Sequence, residues 1–326
     1  MTIHSYAIRS NRGMDSYGIV PPEEGIQFGP YFRLQRVIPP LHLEGVLEKF
    51  KELSDFGKFA PFRDEIWCEL VADERDWAMI RDDQGELFSE LPDEDRLSII
   101  QGYANAMFLL FRLRGMTQFT VPVELHGSSF RNLNKQRDKS VIAKFRFTQA
   151  ILFPILGPEI PKLLDEEDIE WILEHILTVL QMNKSGDLHF LLDLFDVINF
   201  PNPTIQLVQV WAAIESIVKS QSPKTRHSIR ARCAMLLCES ELEKRELYSH
   251  IGKLYDFRCA VVHGTEEFSM EKYLNGFHET KVVGETKLLF DSFSILKRLV
   301  TKVIEMGEMP NSEQLQALQD DYDNME

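Results

Sequence analysis

The sequence predicts a predominantly α-helical protein whose N-terminal region is α+β and holds a small antiparallel sheet. Three observations lead to this class. Short apolar runs separated by turn signals are concentrated before residue 130, the pattern of strands and hairpins. From Asp93, apolar residues recur at spacings of 3 and 4, the period of one helix face. Beyond Lys139 that period governs nearly the whole chain, and helix-start signals punctuate it.

Taken in order, Pro21-Pro22, Gly29-Pro30 and Pro39-Pro40 frame an extended run from Tyr31 to Ile38, and a helix follows over about 43–53. Ile66 to Val71 reads as a strand. Trp77 to Ile80 and Leu87 to Leu91 flank Asp82-Asp83-Gln84-Gly85 and read as a hairpin. Leu97, Ile100, Ala104, Met107, Phe108 and Phe111 mark an amphipathic helix ending near Gly115. Thr117 to Leu125 alternates like a strand, which Pro122 confines to an edge or a bulge because proline cannot donate to the ladder.

Further helices are expected over about 139–153, 165–182 and 187–198. Asp165, Glu166, Glu167 and Asp168 crowd the start of the second, where the helix dipole favours negative charge. That explains the cluster better than a metal site does, since no histidine or second acidic cluster has matching spacing. Phe200-Pro201-Asn202-Pro203 is the boundary candidate, with Asn202 as cap and Pro203 as first helical residue. Helices then run to about Ser220, from Thr225 to Cys238, from a Ser240/Glu243 capping box onward, and from Thr286 to Met306. The expected organisation is an α+β domain over 1–130, a helical connection packing on the bundle over 131–203, a helical domain over 204–306, and an acidic, disordered tail over 307–326.

Composition is that of an ordinary globular protein, 44% hydrophobic and 27% charged. No apolar run reaches the roughly 18 residues that a membrane span needs, and the start lacks a signal-peptide pattern, so a cytoplasmic protein with no membrane partner is expected. Cys68, Cys233, Cys238 and Cys259 have no metal-ligand spacing and read as free thiols; no zinc or other metal is expected. The net charge of −15 argues against a nucleic-acid partner until its distribution is considered. Residues 1–204 hold 21 Lys+Arg against 32 Asp+Glu, whereas residues 205–300 hold 14 against 12. Within the latter, Lys219, Lys224, Arg226, Arg230 and Arg232 follow one another with no acidic residue between, a patch that tracks phosphates or else a solvated face.

The segment that carries chemistry is Tyr255-Asp256-Phe257-Arg258-Cys259-Ala260-Val261-Val262-His263-Gly264. Leu247, Ile251, Leu254 and Val261 lie on one helix face, and Arg258 falls on that stripe, where an unpaired cation costs several kcal/mol, of the order of an isolated internal ion. It must therefore pair, for example with Glu215, or line a polar cleft. His263 stands in the last turn, where carbonyl ends favour imidazolium, and either caps the helix or handles protons. Tyr248 and Tyr255, seven apart, fill core or stack bases; His227 and His250 are expected as exposed spectators.

The Arg-x4-His pattern resembles the HEPN superfamily, in particular the Apea-like HEPN domains. The likeness extends to the preceding Tyr255, the Val262-His263-Gly264 ending, Trp211-Ala212-Ala213-Ile214-Glu215 and Ile229 to Ala234, and covers about residues 204–305. It implies a helical bundle that dimerises and cuts RNA without metal or cofactor, with Arg258 and His263 of both protomers in one cleft. Cys259 stands where many active relatives carry a polar residue. Tyr255, Glu215, Lys224, Arg226 and Arg230 would support the site or hold RNA. The implied setting is a toxin or anti-phage role, with the N-terminal region, and a regulatory protein partner, sensing a trigger or restraining the nuclease. The competing expectation is a non-catalytic RNA-binding or protein-interaction module that keeps the bundle and lacks turnover.

Overall fold

The computed structural model describes residues 3–10, 25–37, 66–78, 80, 87–114, 120–126, 145–146, 165–184, 202–219, 225–278 and 281–325. They fall into two compact units, one of described residues up to Ile176 and one from Leu177 onward. The chain is predominantly helical with an α+β N-terminal region, as its sequence predicts.

In the first unit, β1 (Ile3–Ser10), β2 (Ile26–Phe28), β3 (Phe32–Val37), β4 (Ile66–Asp73), β5 (Thr120–His126) and β6 (Phe145–Arg146) form a sheet of order β2-β3-β4-β1-β5-β6. All neighbours are antiparallel. Phe28 lies opposite Phe32 and Leu34 opposite Leu70, all four buried, while Gln27 and Arg33 between them are exposed. This is the alternation of a sheet with one covered face. The covering helix is α2 (Asp93–Leu113), whose Phe111 meets Phe28 edge-on at 5.4 Å. Trp77 is the aromatic hub, against Tyr31, Phe32, Phe88 and Tyr103, with its indole N–H donating to the Tyr31 carbonyl at 2.8 Å.

Several expectations change here. The turn of the hairpin expected over 77–91 lies outside the described residues, and of its arms Trp77 ends a short helix, α1 (Glu74–Trp77), while Phe88–Glu90 is a 3-10 turn. Asp73 caps α1 through Arg75 N–H at 3.0 Å, while one backbone bond from Phe88 to Ile80 at 2.8 Å holds the two runs side by side. Pro122 does sit at a bulge. On β1 the register passes from Ala7 to Arg9, and on β5 from Val123 to Thr120, so β5 carries one extra residue at Val121-Pro122. Of the helix expected over 139–153 only Phe145–Arg146 are described, and they are strand, pairing with Leu125 and Glu124. Those over 43–53 and 187–198 lie outside the described residues.

Helix α3 (Glu166–Lys184) begins with reciprocal bonds, Asp165 N–H to Asp168 Oδ2 at 3.2 Å and Asp168 N–H to Asp165 Oδ1 at 2.9 Å. Arg114 Nε also donates to Asp168 at 2.8 Å and its guanidinium lies over Trp171. The acidic cluster is therefore a cap anchored to the end of α2. The division between the two units falls inside α3, after Ile176.

The second unit contains α4 (Pro203–Val218), α5 (Thr225–Leu237), α6 (Glu241–Val262), α7 (Met270–Asn275), the two-residue strands β7 (Phe277–His278) and β8 (Lys281–Val282), α8 (Gly284–Met306) and α9 (Ser312–Asp323). Asn202 accepts from Thr204 and Ile205 N–H, and Ser240 and Glu243 form the predicted capping box. Helix α8 packs against α4, α5 and α6 through a stripe that includes Leu289, Phe293, Leu296, Val300 and Val303. The segment after Gly307, expected to be disordered, forms α9 against α5. Its acidic average conceals Leu315 and Tyr322, seven apart and buried, and an Asn311/Gln314 capping box.

Candidate functional site

Helix α6 ends where the Arg-x4-His segment ends, and glycine determines how. Gly264 adopts a positive φ of 71°. Thr265 N–H then returns to the Ala260 carbonyl at 2.9 Å and Gly264 N–H to Val261 at 3.2 Å, the two bonds of a Schellman cap. His263 is thereby fixed as the cap residue with its side chain in solvent, the Val262 beside it 43% exposed.

Arg258 lies one turn earlier and is half-buried. Its Nη2 reaches Glu215 Oε1 on α4 at 3.5 Å, the internal partner considered from sequence, with side chains 21% and 31% exposed. That distance is long for a charge-assisted bond, whose usual range is about 2.7–2.9 Å. Nη1 lies 4.0 Å from Cys259 Sγ, and Nε is buried without a hydrogen-bond partner. The guanidinium is thus held loosely, with donors to spare. Tyr255 packs edge-on against Trp211 at 5.4 Å. Burial first, then the neighbouring Cys259 and Glu215, push its phenol above the ordinary value, so it stays a neutral donor. Arg258 and His263 do not converge: the unbroken helix between them leaves them roughly 140° apart in direction.

On α4, Ile205 and Val208 are exposed apolar residues, 39% and 37% open, on the face that also presents Glu215. The spacing 205, 208, 215 keeps the three together. Beyond the end of α6, a cleft of about 430 Å³ runs between Gly264 and the start of α4, but Glu266 and Glu267 edge it and repel phosphate.

Three arginines of the basic patch have partners within the fold, while Lys219 is exposed. Arg232 is buried and donates to the Val218 and Lys219 carbonyls at 2.9 and 3.0 Å, closing the C-terminal end of α4. Arg226 pairs with Asp256. Arg230 lies flat on Tyr248, 3.6 Å from the ring centre, and donates to its carbonyl at 2.9 Å. Gly252 makes this possible, since a Cβ there would stand 2.9 Å from Arg230 Nε. Lys224 lies outside the described residues.

The two histidines are not spectators. His227 bonds Tyr248 Oη and Asp323 Oδ1, each at 2.8 Å, and His250 stands 3.4 Å from Asp291, which also takes Lys287 at 2.6 Å. Gly252, Asp291, Tyr322 and Asp323 were missed in sequence; only the spacing of Tyr248 and Gly252, one turn apart, offered a signal for any of them. Among the thiols, Cys233 is fully buried and its pKa is pushed up to about 12 by burial, whereas Cys238 and Cys259 are half-buried; all three are free. Among the described residues no helix is long and apolar enough to cross a membrane. Set against family models, curated proteins and solved structures, the chain matches none.

Proposed function

We propose that the chain is a HEPN-type endoribonuclease that acts without a metal and as a homodimer, with Arg258 and His263 as its catalytic pair. The observation that carries this reading is the loosely held Arg258: a half-buried guanidinium, 3.5 Å from its carboxylate and with Nε unpartnered, on the last long-helix turns before a solvent-facing histidine. Guanidinium suits the non-bridging oxygens of a phosphate, and imidazole titrates near neutral pH. In the proposed reaction the 2′-oxygen attacks phosphorus as its proton leaves to one imidazole. The bond to the 5′-oxygen breaks as the other protomer's imidazole protonates it. Arg258 bears the charge that builds on phosphate.

Dimerisation supplies the convergence that one helix denies. Ile205, Val208 and Val262 offer apolar surface for a second copy beside the Glu215–Arg258 pair. A two-fold axis there would bring two copies of each functional group to one cleft. A cell-level role in toxicity or defence against phage, with the N-terminal unit as sensor, is the proposed setting.

A second reading, an RNA-binding or protein-interaction module without turnover, draws on Arg258 and His263 not converging within one chain. Purified protein incubated with mixed RNA in excess chelator separates the two. Fragments that vanish in both Arg258→Ala and His263→Ala support the nuclease; intact RNA with the wild type, or cutting that survives both substitutions, defeats the assignment.

A further inference from the structure

The face of α5 and α6 beneath α9 has the chemistry of a nucleotide site. Tyr248 has Arg230 against one face of its ring, at 3.6 Å, and Tyr322 of α9 stacked at 4.7 Å and 20°. Two flat groups at these separations cannot share a face, so Tyr322 covers the open one. Next to Tyr322, Asp323 places a carboxylate oxygen 2.8 Å from His227 Nε2, whose other nitrogen bonds Tyr248 Oη. A planar ring with an anionic oxygen beside it is what a nucleotide presents as base and phosphate.

Charge follows the same division. Helix α5 carries Arg226, His227, Arg230 and Arg232 with no carboxylate, and α9 carries Glu313, Asp320, Asp321 and Asp323 with no cation. Helix α9 is held by three buried side chains, Leu315, Gln319 and Tyr322, by the Asp323–His227 bond at 2.8 Å, and by two long bonds, Arg232 to Gln316 and Arg245 to the Met325 carbonyl, both 3.3 Å. A helix of twelve residues with three buried side chains can open locally before the whole domain unfolds.

We infer that Tyr248, backed by Arg230, and His227 bind one nucleotide of single-stranded RNA, the ring stacking a base on the face away from Arg230 and the His227 ring hydrogen-bonding its phosphate, and that α9 occupies this site by imitating that nucleotide. The inference rests on the reading of the chain as acting on RNA, and it adds a site away from Arg258 together with the segment that masks it. Stacking platforms flanked by cations are a general means of holding single strands.

Fluorescence anisotropy with a labelled single-stranded RNA 12-mer tests it, at low salt with chelator and in the Arg258→Ala background, so that cleavage does not intrude. Leu315→Asp with Tyr322→Ala opens α9, verified by hydrogen exchange. The opened protein is expected to bind about tenfold more tightly, the scale of one stacked base. Adding Tyr248→Ala should abolish the gain, and a synthetic peptide of residues 311–325 should displace the RNA. An opened protein that binds no better, a gain that survives Tyr248→Ala, or an α9 that stays protected overturns the proposal. Should the double variant misfold, Asp323→Asn alone, at an exposed position, is expected to tighten binding about threefold, and no change there is equally fatal. Wild-type cutting without any gain on opening would leave the nuclease and remove the mask; gain without cutting would do the reverse.

Discussion

At Arg258 and Glu215 the cost of burial and the need for a loose cation meet in one pair. Glu215→Ala leaves the half-buried guanidinium without its carboxylate and is expected to lower stability by about 1–2 kcal/mol, the range for stranding a charged partner; urea unfolding reads it, and a shift within 0.3 kcal/mol, the level of roughly additive noise between independent sites, would mean that solvent screens the pair. Asp291 gives a pH signature. Burial pushes its carboxyl up, but the bonds from His250 and Lys287 outweigh burial and hold it below the ordinary 3.8. The folded protein therefore binds fewer protons than the unfolded chain in this window, so this stability is present above the ordinary value and is lost as pH falls through and below it. Between about pH 5 and 3 the urea midpoint of the wild type should fall more steeply than that of Asp291→Asn, which has no carboxyl to titrate.

At the level of elements, two glycines fail for opposite reasons when given a side chain. Gly264 has open space around it, so Gly264→Ala meets only its positive φ of 71° and should cost about 1 kcal/mol, enough to fray the turn that holds His263. Gly276, just past α7, has no such dihedral, but a Cβ there would fall 2.1 Å from Thr286 Oγ1, which itself bonds the Tyr273 carbonyl. Gly276→Ala should cost more, about 1–3 kcal/mol as overpacking does, and thermal unfolding of the two variants side by side tests the order. Removing the α4 cap with Asn202→Ala is worth about 1 kcal/mol, through the orphaned N–H groups of Thr204 and Ile205.

For the whole molecule, the proposed dimer is the property on which the nuclease depends. Val208→Asp and Val262→Asp place charge on exposed apolar positions that the monomer does not bury. They should leave the circular dichroism of the monomer unchanged, shift sedimentation from dimer to monomer, and abolish RNA cutting together with dimerisation. A wild type that sediments as a monomer at all concentrations while still cutting RNA would refute the shared cleft.

What the sequence determined by itself is local. The period of 3 and 4 in α2, α3 and α8, the Asn202-Pro203 and Ser240-x-x-Glu243 starts, the Gly264 stop and the bulge at Pro122 follow from backbone chemistry within a few residues. That is why the fold class and the Arg258–His263 segment were legible. The tertiary structure decided what depends on partners far along the chain. Arg226, Arg230 and Arg232 read in sequence as part of a basic patch or a solvated face until Asp256, Tyr248 and the α4 carbonyls occupied them, and His227, expected as a spectator, took Asp323. Trp77 and Phe88, read as strand residues, join an aromatic cluster from a short helix and a 3-10 turn. The acidic end became a helix because two apolar residues on one face, Leu315 and Tyr322, find a basic helix to cover. Composition averages over such residues, whereas packing selects them, and a cation's availability is set by which acceptor reaches it first.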